Sequence, residues 1–184
     1  MILLRNTLNH LDQVLLMPVE EHRELWSDVK VKFCLIVTSD TVFKGLKNDD
    51  ISPLVKDLIS NSGHELILSK VVPNDGEVLS EEIMKCLMLC DVLLITGGTG
   101  ISKKDITADT VVKFCSRMLP GYGELFRYLT YLHFGSAAIL TRNYACVSNN
   151  SVIFLTPGSP QAVELALKKL ILPEVKHLIG ELRK

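Results

Sequence analysis

Four short stretches of this chain collect the residue types that hold anions: Thr38-Ser39-Asp40, Pro73-Asn74-Asp75, Thr96 to Asp105, and Thr156-Pro157-Gly158-Ser159-Pro160. The third is the richest. Gly97, Gly98 and Gly100 lack a Cβ, so the backbone can take unusual φ/ψ and bring its amides against an anion. The stretch feeds a helix that Thr107 would cap, which adds the dipole of a helix start. It is no P-loop, because no Gly-Lys-Ser/Thr closes it, and no dinucleotide fingerprint. From composition alone, a tight strand-to-helix turn without a ligand is the alternative. Lys103 and Lys104 alongside would draw in a polyphosphate or simply remain solvated. Glu124 and Arg127, three apart at a helix start, are a surface ion pair or else contacts to ligand or subunit.

The elements between these stretches explain why they would converge. Val31 to Val37, Leu66 to Val72 and Asp91 to Thr96 are short apolar runs that read as buried strands. Helical spacing separates them, first in Leu54, Val55, Leu58 and Ile59, ended by Gly63, then across Val78 to Leu89. Such alternation predicts an α/β fold of three layers, a mostly parallel sheet with helices on both faces. Helices are expected from about Thr107 to Met118, Gly123 to His133 and Ala162 to Leu170, with a terminal helix after Pro173. Strands Ala137 to Leu140 and Val152 to Leu155, separated by Asn149-Asn150, suggest a hairpin. In an open parallel sheet, ligands sit beyond the carboxyl ends of the strands, where all four stretches lie.

The totals narrow the partners. The 184 residues, 47% hydrophobic and 22% charged, suit one ordinary globular domain. We expect an extension over residues 1–30 and an α/β domain over 31–184. A formal net charge of −1 gives no general attraction to nucleic acid or an acidic membrane, so phosphate binding must be local. Leu4, Leu8, Leu11 and Leu15 form a helical stripe among polar residues, which is amphipathic and not a membrane span. No continuous apolar run marks a signal peptide. The five cysteines show no disulfide-like framework, and Cys86 and Cys90 have no second ligand pair nearby. Reduced, mostly buried thiols and a cytoplasmic location are the expectation. His10, His64, His133 and His177 read as surface or packing residues.

Four motifs occur in a fixed order: Thr96-Gly97-Gly98-Thr99-Gly100, Asp105-Ile106-Thr107, Pro120-Gly121-Tyr122-Gly123-Glu124-Leu125-Phe126-Arg127 and Pro157-Gly158-Ser159-Pro160. Together they resemble the MoaB/MogA-type proteins of molybdenum cofactor biosynthesis, whose fold also forms the G domain of gephyrin. Glu21-His22-Arg23 and Ser39-Asp40 resemble the MoaB branch in particular. The resemblance implies a molybdopterin-binding fold assembled as homotrimers or homohexamers, with other molybdenum cofactor biosynthesis proteins as further partners. It implies an adenylyltransferase in which the terminal phosphate of molybdopterin attacks the α-phosphorus of ATP with Mg2+, releasing pyrophosphate.

By the same resemblance, Asp105 matches an essential aspartate that holds magnesium. The family's second functional aspartate falls at Asn74, with Asp75 adjacent. Ser39, Asp40, Gly97, Gly98, Thr99, Gly100, Ser102, Thr107, Glu124, Pro157, Gly158 and Ser159 would contact the ligands. Two further readings stand beside the enzyme: a non-catalytic pterin-binding or scaffold protein, and a nucleotide-binding regulator that needs no pterin.

Overall fold

The computed structural model describes residues 24–184. Strands β1 (Lys32–Thr38), β2 (Glu65–Val72), β3 (Val92–Thr96), β4 (Arg117–Leu119), β5 (Ala145–Ser148) and β6 (Ser151–Thr156) form one sheet in the order β2-β1-β3-β6-β5-β4. The first four in that order run parallel, while β5 and β4 pair antiparallel. The helices are α1 (Asp40–Phe43), α2 (Ile51–Asn61), α3 (Gly76–Leu87), α4 (Thr107–Val111), α5 (Pro120–Phe134), α6 (Pro160–Ala166) and α7 (Val175–Leu182). The expected three layers are present, with a sheet of mixed direction.

The period-2 geometry of a strand divides the central residues between two cores. Phe33, Leu35 and Val37 of β1 face one way, into a core with α2, α5, α6 and α7. Cys34 and Ile36 face the other way, toward α3 and α4. The same division holds in β3 and β6, so these strands are apolar on both faces. Trp26 and Val29 also pack on this body, with the Trp26 ring against Gly180 of α7. The Leu4 to Leu15 stripe and Glu21-His22-Arg23 lie outside the described residues.

Strand β1 is flanked by β2 on one side and β3 on the other. That is a topological switch point, where the loops leaving β1 and β3 diverge and open a crevice. The loop after β1 begins at Ser39 and the loop after β3 is the glycine stretch.

Several expectations need correction. Ala137 to Leu140 is not a strand but part of a 3₁₀ turn, Gly135–Leu140. The hairpin does turn at Asn149-Asn150, with Asn149 at φ 51°, but its first strand is β5. The helix from Thr107 reaches only Val111, with a 3₁₀ turn to Phe114, and Arg117–Leu119 turns back as an edge strand. Thr107 does not cap it: Ile106 holds the cap position, and the Thr107 hydroxyl is buried without a partner. The side chain points beneath Gly98 instead.

The cysteines divide. Cys34, Cys86 and Cys90 are free and buried, as expected, although Cys90 lies beyond the end of α3. The hydrogen bond with Cys34, then burial, pushes the Cys86 thiol far above its usual range, which leaves it inert. Cys115 and Cys146 instead form a disulfide. The strand β4 doubles back along β5 and brings their Cα atoms to 5.5 Å, a juxtaposition invisible at a separation of 31 residues.

Candidate functional site

The carboxyl ends of β1, β3 and β6 meet almost without clearance. A Cβ on Gly97 would stand 2.3 Å from the carbonyl oxygen of Thr38, and Gly97 itself sits at φ +93°. Gly98 at φ +61° lies over Thr107 Oγ1 and Asn74 Oδ1, where a Cβ would come within 2.3 and 3.1 Å. Both positions therefore need glycine for contact with protein atoms, not only for approach to a ligand.

What this close packing leaves available is a run of donors. The Gly97 N–H is used by Thr156 O at 3.1 Å. Among the described residues, no protein group accepts from the N–H groups of Gly98, Thr99 or Gly100. Their orientation is set from behind: the Gly98 carbonyl accepts the Thr107 N–H at 3.0 Å, and the Thr99 carbonyl accepts the Arg142 N–H at 2.9 Å. Since a trans peptide directs its N–H opposite to its C=O, the Thr99 and Gly100 amides point away from those partners. Successive backbone amides left free in a bend are the groups from which anion-binding concavities are built.

These residues line a cleft of about 330 Å³. Ser39, Asp105 and Gly158 line it as well, as do Thr41 of α1 and Lys47, Asn48, Asp49 and Asp50 from the loop before α2. Asp49 Oδ1 caps α2 by accepting the N–H groups of Ile51 and Ser52. Asp105 Oδ2 accepts the Ser102 N–H at 2.9 Å, and its carboxylate stands where a Cβ on Gly100 would come within 2.8 Å. One carboxylate therefore sits directly beside the free amides.

The other expected residues separate by position. Asp40 does not line the cleft, and its carboxylate accepts the backbone N–H of Asn74 at 2.9 Å. That bond first, then the Asn74 side-chain amide, hold the Asp40 carboxyl below the ordinary carboxylate range, with Lys44 and Lys104 adding to it. Asn74 Oδ1 is buried without a partner. Asp75 is committed elsewhere: its carboxylate caps α3, accepting from Glu77 and Val78. Ser39 caps α1 and Ser159 caps α6 through the N–H groups of Val42 and Ala162. Lys103 and Lys104 are exposed.

Glu124 is exposed on α5 and does not line the cleft. Arg127 bonds Asn143 O and Oδ1 rather than Glu124. The rest of that motif braces the sheet, since the Tyr122 hydroxyl is hydrogen-bonded to Thr156 Oγ1 at 2.8 Å. Burial moves the Tyr122 pKa upward, so the ring stays neutral. A second cavity of about 640 Å³ shares Thr99 and Gly100 with the first, includes Pro157 and Ser159, and is lined mainly by apolar side chains such as Phe126 and Leu165.

The family model described as a probable molybdopterin binding domain matches residues 34–177 of this chain. The chain belongs to that family. It is 36% identical to molybdenum cofactor biosynthesis protein B of Bacillus subtilis, over 91% of this chain and 99% of that one. The homologous protein B of Staphylococcus carnosus is 37% identical, over 91% and 100%. Among solved structures, a molybdenum cofactor biosynthesis protein B superposes with a TM-score of 0.79 at 35% identity, covering 84% of this chain and 97% of that one. The tungsten cofactor synthesizing protein MoaB of Pyrococcus furiosus gives 0.78 at 32% identity, covering 84% and 98%. A role in molybdenum cofactor biosynthesis follows from this membership, and the glycine loop and Asp105 cleft lie within the matched region.

Proposed function

We propose that the protein transfers the adenylyl group of ATP to the terminal phosphate of molybdopterin. A phosphate oxygen attacks the α-phosphorus, the bond to the bridging oxygen breaks, and pyrophosphate leaves. The observation that carries this reading is the row of unpaired amides at Gly98, Thr99 and Gly100 beside the Asp105 carboxylate. Transfer at phosphorus needs positioning and charge neutralisation more than a covalent nucleophile, and the cleft supplies both kinds of group.

The donor set also bears on Mg2+. Among the described residues, no group of three His, Cys, Asp or Glu forms a cage. Magnesium that keeps several waters and is held through one carboxylate and substrate phosphates suits such a site. Asp105 would hold it, and bound magnesium would offset charge on the phosphates. Ser39 and the free amides orient oxygens around the reacting phosphorus, and Lys47, which also lines the cleft, adds positive charge.

Incubating the full chain with molybdopterin, ATP and magnesium, then assaying adenylylated pterin and pyrophosphate, tests this reading. Pterin binding without product would instead support a binding or scaffold protein. Asn74 favours that second reading, because it puts an amide where the family resemblance implies a carboxylate. Binding of ATP alone, indifferent to pterin, would point to a nucleotide-binding regulator.

We also propose a homotrimer or homohexamer working in the cytoplasm, where ATP is supplied. Leu125, Tyr128 and Leu132 expose an apolar face along α5, which continues into Phe134 and Ile139. A patch of this kind marks a surface that another molecule covers. Light scattering at micromolar concentration checks it, and a monomer would remove this part of the reading.

A further inference from the structure

Arg142, Tyr144 and Cys146 are alternate residues of the segment that runs into β5, and all three reach residues between Gly100 and Cys115. The Tyr144 hydroxyl donates to Ala108 O at 2.7 Å, and Cys146 is bonded to Cys115 at the end of the turn after α4. Arg142 does the most. Its Nε donates to Gly100 O at 2.8 Å and its Nη2 to Asp105 O at 2.6 Å. Its Nη1 lies 2.8 Å from each carboxylate oxygen of Asp109. One guanidinium thus holds the end of the glycine loop, the backbone of Asp105 and the first turn of α4.

The planar fork explains why arginine suits this place. Its donors have fixed relative directions, so groups bound to it are held in fixed relative orientation. Between Gly100 and Asp105 the chain is exposed from Ile101 to Lys104. The Arg142 side chain spans the base of this loop, and its own N–H turns the Gly100 amide outward through Thr99 O. The free amides of the cleft and its Asp105 carboxylate are registered to one another through this residue.

We propose that Arg142 is the positioning residue of this cleft, fixing Gly100 and Asp105 in one frame while making no contact with the reacting atoms. The proposal rests on the adenylyl-transfer reading for its kinetic consequence, but not for its structural one.

The test uses the full chain with Arg142→Ala and Arg142→Lys, and the unchanged circular dichroism of either suffices as a check on folding. Trypsin cleavage after Lys103 and Lys104, followed by mass, should be several-fold faster in both variants, because the loop base opens more often. Lysine should not substitute, since a point charge cannot hold three groups in set directions. Turnover should fall roughly 10- to 100-fold, with a higher magnesium concentration at half-maximal rate. Millimolar guanidinium should restore part of the Arg142→Ala rate and none of an Asp105→Asn rate.

Cleavage at the parent rate in both variants overturns the proposal. So does faster cleavage with turnover and magnesium dependence unchanged. If the parent makes no adenylylated pterin, the adenylyl reading fails by itself, and molybdopterin affinity replaces turnover. Faster cleavage with weakened affinity then supports Arg142, and faster cleavage with parent affinity overturns it.

Discussion

Asp40, just past the end of β1, accepts the backbone N–H of Asn74, just past the end of β2, across 2.9 Å. With the Asn74 side-chain amide, this bond keeps the carboxyl below its ordinary range. Residue 74 therefore serves a neighbouring carboxylate. A carboxylate at that position would face Asp40, and like charges in contact raise a pKa. Asn74→Asp is expected to move Asp40 titration upward, read by NMR of the carboxyl carbons. An unmoved Asp40 with a lower magnesium requirement would make position 74 an open ligand position instead.

A methyl group on Gly98 would meet Thr107 Oγ1 at 2.3 Å, on a backbone at φ +61°. Strain at such a φ plus overpacking gives an expected loss of about 2 to 4 kcal/mol for Gly98→Ala. In a chain of this size that lowers the melting temperature by roughly 5 to 12 °C. Adding Thr107→Ala removes the opposing atom, and the pair should lose less than the sum of the single variants. Additive losses in thermal melts would show that the loop relaxes away from Thr107.

The legible part of this molecule was what short-range pattern encodes. Continuous apolar runs identified β1 and β3, because strands buried on both faces cannot carry polar alternation. Leu66 to Val72 is a strand but not a buried one, since β2 lies at the sheet edge with Ser69 and Lys70 exposed and only Val72 buried. The four loops were readable for the same reason: small and polar residues must end such strands. What failed depended on partners distant in sequence. Nothing local distinguishes Ala137 to Leu140 from a strand, and Arg117–Leu119 is a strand only because β5 lies beside it. Asp75 and Asp105 look alike on paper, yet one caps α3 and the other lines the cleft. Arg142 was missed because three of its partners, Gly100, Asp105 and Asp109, lie 33 to 42 residues away.

The Cys115–Cys146 bond closes a loop across a separation of 31 residues. On the chain-entropy account, a closure of that length stabilises by about 3 to 4 kcal/mol. Cys115→Ser should therefore lower the urea midpoint, and reductant should lower it to a similar degree in the parent. The variant should not respond to reductant. A parent equally indifferent to reductant would mean that the two cysteines are thiols in solution.

His64 is buried beside Phe33 and accepts the Val31 N–H on Nδ1 at 3.3 Å. Burial, then the charge of Lys176, lowers its pKa from 6.5. The unfolded imidazole thus takes up its proton at higher pH than the folded one. The His64 contribution is complete above the unfolded pKa of about 6.5, and is lost as pH falls from there toward the folded value. Urea midpoints of the parent should drop on going from about pH 7 to about pH 5, and those of His64→Gln should drop less. Parallel losses would assign the effect to other groups.

Asp105 decides between an enzyme and a binder, because it is the carboxylate beside the free amides. Its Oδ2 accepts the Ser102 N–H, and its own N–H donates to Ser102 O, both at 2.9 Å. In Asp105→Asn the amide oxygen can keep the first bond and the backbone keeps the second, so the turn survives while the charge is lost. If that charge holds magnesium against the ATP phosphates, the variant should lose about 3 to 4 kcal/mol of transition-state stabilisation, or roughly two to three decades in rate. Half-maximal rate should need more magnesium. Molybdopterin affinity, followed by fluorescence quenching, should change far less, since the Gly98, Thr99 and Gly100 amides remain. Parent turnover in Asp105→Asn would remove this carboxylate from the reaction. Affinity falling in step with turnover would make it a binding group, with neutralisation of the phosphates left to Lys47 and the loop amides.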